Sequence, residues 1–283
     1  MARILYGKEV SSALWERLLP RIDRLRRTAW RRRSPLCAGE RPDDLSYERT
    51  CARQADLHGI AVRRFVLPAD ATQAELEAVI DLVNADARIH GCLMFRPLPA
   101  SMNERAVCDR LTPVKDIDGI GSASLAGVFA DTGEGFPPAT AQACLETLGF
   151  YDIPVAGKRV VVLGRSLVIG RPVAMMLLAR HATVTLAHSR TADVAAHTAG
   201  RHRRVRHRPR PRPLSRVLLA RPDGARCGHQ LRCRRQSRGD VDFGAVSPCG
   251  SPKAPSRRCP GIGGVTTSVT MAHVVQAAEA GQR

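Results

Sequence analysis

The sequence predicts a two-domain α/β chain. Three observations carry that prediction: helix and strand patterns alternate along much of it, one apolar run opens into a glycine-bounded turn and a helix, and 283 residues with 44% hydrophobic content can bury two modest cores. The first domain is expected over residues 1–148, completed by a C-terminal helix over 265–283, and the second over residues 149–264.

Thr72-Gln73-Ala74-Glu75 has the form of a capping box, in which the Thr hydroxyl and the Glu carboxylate each satisfy a backbone N–H at a helix start. Leu76, Val79, Ile80 and Val83 follow at helical spacing and make one apolar stripe. Residues 89–95 then read as a buried strand, ended by the Arg96-Pro97-Leu98-Pro99 loop. Residues 141–148 and 173–178 read as core-facing helices, with Met175 and Met176 as packing residues. Residues 265–280 alternate small and apolar side chains as a terminal helix does.

Val160-Val161-Val162-Leu163 is the β-branched pattern of a strand buried on both faces, and Pro172 suits the first turn of the helix that follows. Free N–H groups and the dipole at that helix start attract a dinucleotide's pyrophosphate. The spacing Gly164-x-Ser166-x-x-x-Gly170 departs from Gly-x-Gly-x-x-Gly, so an ordinary strand-turn-helix stands beside the cofactor reading. A second strand pattern over residues 182–187 ends in His188-Ser189-Arg190-Thr191, where such folds contact the adenosine ribose. No acidic residue stands there. Ser189, Arg190 and Arg165 offer donors and positive charge to a 2′-phosphate, which favours NADP over NAD; an exposed basic turn is the other reading of Arg190.

No run of about 18 apolar residues and no secretory pattern occurs at the N-terminus, so a cytoplasmic chain without a membrane partner is expected. Nine cysteines without regular pairing point to a reducing compartment. Cys227 and Cys233 flank His229, yet no Cys-x-x-Cys supports a zinc site, and no metal is expected. The net charge of +18 suggests nucleic acid until its location is considered. Residues 17–36 hold eight Arg and one Asp, and residues 201–238 hold fourteen Arg and one Asp, which leaves the remainder close to neutral. Nucleic acid is therefore not the expected partner.

Eight separate stretches occur in a familiar order: Ile4-Leu5-Tyr6-Gly7-Lys8, Glu40-Arg41-Pro42-Asp43-Asp44-Leu45-Ser46-Tyr47-Glu48-Arg49, Phe95-Arg96-Pro97-Leu98-Pro99, Lys115-Asp116-Ile117-Asp118-Gly119, Gly135-Phe136-Pro137-Pro138, the Gly164 loop, Gly239-Asp240-Val241-Asp242-Phe243, and Gly263-Gly264-Val265-Thr266-Thr267. Over roughly three-quarters of its length the chain thereby resembles the methylenetetrahydrofolate dehydrogenase/cyclohydrolase family. The resemblance implies a small α/β substrate domain and a Rossmann-like NADP-binding domain. It implies hydride transfer from 5,10-methylenetetrahydrofolate to the nicotinamide, followed in bifunctional members by hydrolysis of the methenyl product, within one-carbon metabolism.

By resemblance, Tyr47 borders the pterin and Asp118 hydrogen-bonds its amino-pyrimidine edge, both as catalytic residues. Pro97, Leu98, Pro99 and Gly263 complete the substrate-binding set, and Gly164, Arg165, Ser166, Gly170, Pro172, His188, Ser189 and Arg190 form the cofactor-binding set. Tetrahydrofolate derivatives are the implied small-molecule partners, and a homodimer is the implied assembly. On residues alone, the favoured readings are a turn residue before Gly119 for Asp118 and an interfacial core aromatic for Tyr47. Where the family commonly has a lysine four residues after the tyrosine, and a glutamine before the Leu-Pro-Leu-Pro-like loop, this chain has Cys51 and Phe95. Arg53 is always charged and cannot replace a lysine whose proton must come and go. Cyclohydrolase activity is accordingly expected to be weak or absent.

The likeness lapses in the arginine-rich windows. Arg31-Arg32-Arg33-Ser34-Pro35 offers no strand for burial, and residues 201–213 carry charge or proline at nearly every position where parallel strands are needed. Residues 251–259 lapse in the same way. Translation in a shifted reading frame of a GC-rich gene accounts for this, leaving an inactive pseudoenzyme as one outcome; an arginine-rich insert that binds RNA or other polyanions is the rival.

Overall fold

The computed structural model describes residues 5–27, 34–38, 42–68, 70–192, 194, 216–220, 230–232 and 262–281. The chain divides into two units, Met1–Ser11 with Thr140–Thr266 and Ser12–Ala139 with Thr267–Arg283. Among the described residues, no helix is long and apolar enough to cross a membrane.

In the unit Ser12–Ala139 with Thr267–Arg283, β1 (Ser34–Ala38), β2 (Val62–Val66) and β3 (Leu93–Met94) form a parallel sheet in the order β2-β1-β3. Helix α1 (Gly7–Arg27) precedes β1; α2 (Pro42–Leu57) and α3 (Gln73–Ala85) provide the crossovers that parallel neighbours require. The Thr72 capping box is present: Glu75 N–H donates to Thr72 Oγ1 at 3.3 Å, and Thr72 N–H donates to Glu75 Oε2 at 2.7 Å. Helices α4 (Glu104–Arg110) and α5 (Ser122–Ala130) follow. One core joins Trp15, Leu18 and Ile22 of α1, Cys51 and Ala55 of α2, and Met271, Val274, Val275 and Ala278 of the terminal helix α8 (Gly263–Ala280). A second joins Leu76, Ile80 and Val83 of α3 to Ile89, Met94, Val107 and Ile120. Successive side chains of β3 point to opposite faces, so Leu93 enters the first core and Met94 the second.

The strand expected over residues 89–95 is shorter than its apolar run. Only Leu93–Met94 pairs with β1, and Cys92 makes an isolated bridge to Asp116.

The first arginine-rich window is corrected more substantially. Residues 17–27 continue α1, and Val10, Leu14, Leu18, Ile22 and Leu25 are all buried. That spacing is a helical stripe, and it leaves Arg17, Arg24, Arg26 and Arg27 on the exposed side. The expectation that no interior strand could follow also fails, because Ser34–Ala38 lies at the centre of the sheet. Pro35 is tolerated near the start of that strand: it is paired with Arg63 of β2, while the register with β3 begins only at Leu36.

In the unit Met1–Ser11 with Thr140–Thr266, α6 (Ala139–Phe150) leads into β4 (Arg159–Leu163), α7 (Gly170–Leu178) and β5 (Thr183–Ala187). Strands β4 and β5 are parallel, with Val160 opposite Val184. β6 (Arg216–Ala220) and β7 (Gln230–Arg232) complete a sheet of order β5-β4-β6-β7. Strands therefore do form inside the second arginine-rich window. Val217-Leu218-Leu219 is a proline-free apolar interruption of it, and β6 pairs with β4 antiparallel rather than parallel as expected. The expectations for residues 201–213, 239–243 and 251–259 and for Cys227 and Cys233 lie outside the described residues.

Candidate active site

Asp118 sits on a turn whose geometry is fixed by its neighbours. The Asp116 carboxylate, 1% exposed, accepts the N–H groups of Ile120 and Gly121 at 3.0 and 2.9 Å and the Ser124 hydroxyl at 2.6 Å. Lys115 anchors the other end: its carbonyl accepts Cys92 N–H at 2.7 Å, and its Nζ donates to the Val83, Asn84 and Asp86 carbonyls at 2.8, 2.9 and 2.9 Å, closing the C-terminal end of α3. Gly119 has φ +64°, and a Cβ there would stand 2.5 Å from the Phe136 carbonyl oxygen and from Pro138 N, so only glycine fits. The chain thus presents Asp118 from a rigid loop.

Tyr47 and Cys51 lie one turn apart on α2, share a hydrogen bond, and both feel the Asp118 carboxylate. Burial dominates the proton affinity of all three. It pushes the Asp118 carboxyl up to about 7, a rise offset by Arg96 and reinforced by Asp116. It holds the Tyr47 phenol well above its ordinary range and pushes the Cys51 thiol to about 12. Phe95 meets Tyr47 edge-on, with ring centroids 6.0 Å apart, and packs against the core that contains Cys51.

Of the sequence-predicted substrate set, the structure brings Tyr47 and Asp118 together. Leu98 packs against the second core, and its N–H donates to Glu104 Oε2 at 2.9 Å; Pro97 and Pro99 are exposed, and Gly263 is the exposed first residue of α8. Sequence reasoning does not single out Arg96. Its guanidinium lies 3.4 Å from Glu104, its Nε is buried with no hydrogen-bond partner among the described residues, and it is the cation that acts on Asp118. The available signal is an arginine beside the apolar strand end, at a position that reads only as loop. Arg53 is exposed.

The predicted cofactor residues gather at the carboxyl ends of β4 and β5. Gly164 N–H donates to the Ala187 carbonyl at 2.7 Å, which ties the two loops together. Gly164 has φ +110°, and a Cβ on Gly170 would collide with the Gly164 carbonyl; the loop folds tightly onto the start of α7 because residue 170 has no side chain. Ser166 Oγ accepts Ile169 N–H at 3.2 Å, and α7 begins without a side-chain cap. Arg171 N–H donates to the Ser166 carbonyl at 3.1 Å and Pro172 has no N–H, so what the start of α7 presents to an outside anion is chiefly its dipole. Pro172 is buried in the first turn, Arg165, Ser166, Ser189 and Arg190 are exposed, and His188 is half-buried with Nδ1 accepting Arg190 N–H at 3.2 Å. This end of the sheet is suited to a doubly charged phosphate group.

Comparison with known proteins agrees with both halves. The profile of the tetrahydrofolate dehydrogenase/cyclohydrolase catalytic domain matches residues 5–118, and that of the corresponding NAD(P)-binding domain matches residues 138–202. The bifunctional protein FolD of Carboxydothermus hydrogenoformans is 37% identical, across 99% of this chain and 98% of that protein. The crystal structure of the FolD methylenetetrahydrofolate dehydrogenase/cyclohydrolase from Campylobacter jejuni superposes with a TM-score of 0.78 at 25% identity, covering 99% of each chain. The Trypanosoma brucei methylenetetrahydrofolate dehydrogenase-cyclohydrolase, solved with NADP cofactor and inhibitor, superposes with a TM-score of 0.77 at 26% identity, covering 100% of this chain and 99% of that one.

Proposed function

This chain belongs to the tetrahydrofolate dehydrogenase/cyclohydrolase family, and from that premise we propose that it oxidises 5,10-methylenetetrahydrofolate to 5,10-methenyltetrahydrofolate with NADP. NADP, when bound, supplies the electrophilic carbon that accepts the hydride. The residues present fit it: Gly164 and Gly170 leave the loop no obstructing side chain, the dipole at the start of α7 favours the negative charge of the pyrophosphate, and Arg165, Ser166, Ser189 and Arg190 offer donors to a 2′-phosphate.

At the folate end, Asp118 accepts two N–H groups of the amino-pyrimidine edge in its ionised form, and Tyr47 borders the ring. Donors on that edge, together with Arg96, draw Asp118 back toward ionisation when the substrate is seated. The observation that carries this reading is the rigid turn that presents Asp118 to Tyr47.

The second activity of the family is the one this pocket supports least. Cys51 keeps its proton up to about pH 12 and brings no positive charge to the place where a lysine would stand, and Phe95 offers no hydrogen bond there. The reading is therefore a dehydrogenase whose methenyl product hydrolyses at the spontaneous rate. Growth of the reduced-nicotinamide absorbance on mixing the full chain, methylenetetrahydrofolate and NADP tests the first step. Loss of methenyltetrahydrofolate absorbance, with and without protein, tests the second; acceleration well above background contradicts it.

A further inference from the structure

Helix α8 carries Thr267, Thr270 and His273 at every third residue, an i±3 ridge along one side of the helix. All three are buried, at 2%, 0% and 5% exposure. Each meets a different part of the folate pocket. Thr267 shares a hydrogen bond with Cys51, and Thr270 shares one with Tyr47. His273 Nδ1 lies 2.8 Å from the carbonyl oxygen of Ile117, the residue immediately before Asp118. A carbonyl can only accept, so Nδ1 carries the hydrogen and the imidazole holds the peptide that aims Asp118. The same ring packs on Phe136, with centroids 4.9 Å apart, and the Phe136 carbonyl is one of the atoms against which Gly119 is fitted. Both sides of the Asp118 turn are therefore braced by one helix.

A helix that only filled the core would place apolar side chains at these three positions, as it does at Val269, Met271, Val274, Val275 and Ala278. Thr266 is buried on the same helix and spends its hydroxyl on the Ile262 carbonyl one turn back, at 3.2 Å, whereas Thr267, Thr270 and His273 are each directed at a site residue or its backbone. We propose that Thr267, Thr270 and His273 are positioning residues for the folate step, with His273 setting the orientation of Asp118. This inference rests on the proposed dehydrogenase reading and adds residues to its pocket.

His273→Phe keeps an aromatic ring against Phe136 but removes the donor, whereas His273→Asn removes the ring but places an amide N–H near the former Nδ1. In the full chain, His273→Phe raises KM for methylenetetrahydrofolate about tenfold, leaves KM for NADP within about twofold, and speeds amide hydrogen exchange over residues 116–121; His273→Asn returns both folate KM and exchange most of the way to wild type. Equal losses in the two variants, or an unchanged folate KM in His273→Phe, overturn the inference. If His273→Phe fails to fold, Thr270→Val serves in its place: it raises folate KM with NADP KM unchanged, and a folate KM equal to wild type overturns the ridge. If wild type itself does not turn over, the proposed function fails, and the ridge is then judged by hydrogen exchange alone. Faster exchange over residues 116–121 in His273→Phe than in His273→Asn supports it; equal rates overturn it.

Discussion

Replacing Asp118 by asparagine preserves the shape of the side chain and removes its charge, so stability and function should move in opposite directions. Burial raises this carboxyl from the ordinary 3.8 to about 7. That change is a factor of about a thousand in proton affinity, or about 4 kcal/mol if all of it appeared as stability. Asp118 keeps partial contact with solvent, and about a third of that figure, roughly 1–2 kcal/mol, is the working expectation. The folded state binds the extra proton between about pH 4 and 7, so wild-type stability falls as pH rises through that interval and levels off above it. The substituted amide carries no proton to lose and escapes the penalty. Thermal unfolding of the two proteins from pH 4 to 8.5 should show Asp118→Asn gaining about 3–6 °C relative to wild type above pH 7 and little at pH 4. The same variant should lose about 100-fold in kcat/KM for the folate, because a carboxylate that accepts two N–H bonds becomes an amide that can accept only through one oxygen. A stability difference independent of pH would rule out the buried carboxyl as its source.

Other perturbations test the remaining parts. Gly170→Ala forces a Cβ into the Gly164 carbonyl and should weaken NADP binding at least about tenfold, measured by fluorescence titration, with the 116–121 segment unchanged in hydrogen exchange. Ile22→Ala, inside the first arginine-rich window, should cost about 2–4 kcal/mol in chemical denaturation because Ile22 is fully buried against α2 and α8; a cost under about 0.5 kcal/mol contradicts the helix assignment. Arg96→Met removes the cation that lowers the proton affinity of Asp118, and the pH at which folate binding reaches half its strength should rise above about 7. An unmoved midpoint excludes Arg96 from the pocket.

Most of the architecture is legible where periodicity is clean. The Thr72 capping box, the α3 stripe and the Val160–Leu163 strand can be read directly, since each needs only local spacing. The first window misleads because its arginines mask Leu18, Ile22 and Leu25, whose three- and four-residue spacing fixes the buried face whatever occupies the other one. β1 is hidden because Pro35 and the preceding arginines argue against a strand, while its pairing on both sides comes from distant chain. Tyr47 and Asp118 are legible as a pair only through the family likeness: each alone is an ordinary core or turn residue. The support beneath them is not legible. Thr267, Thr270 and His273 look like variety in a small-residue helix until the fold shows what each one meets.

The dehydrogenase reading requires a hydride to move from the folate's methylene carbon to a nicotinamide held by this chain. The decisive measurement is the mass of the reduced cofactor after methylenetetrahydrofolate carrying deuterium on that carbon is incubated with NADP and this 283-residue chain. Reduced cofactor one mass unit heavier, formed in proportion to the protein added, is the expected result. Reduced cofactor without the label, or no reduction in the presence of folded protein, would contradict it.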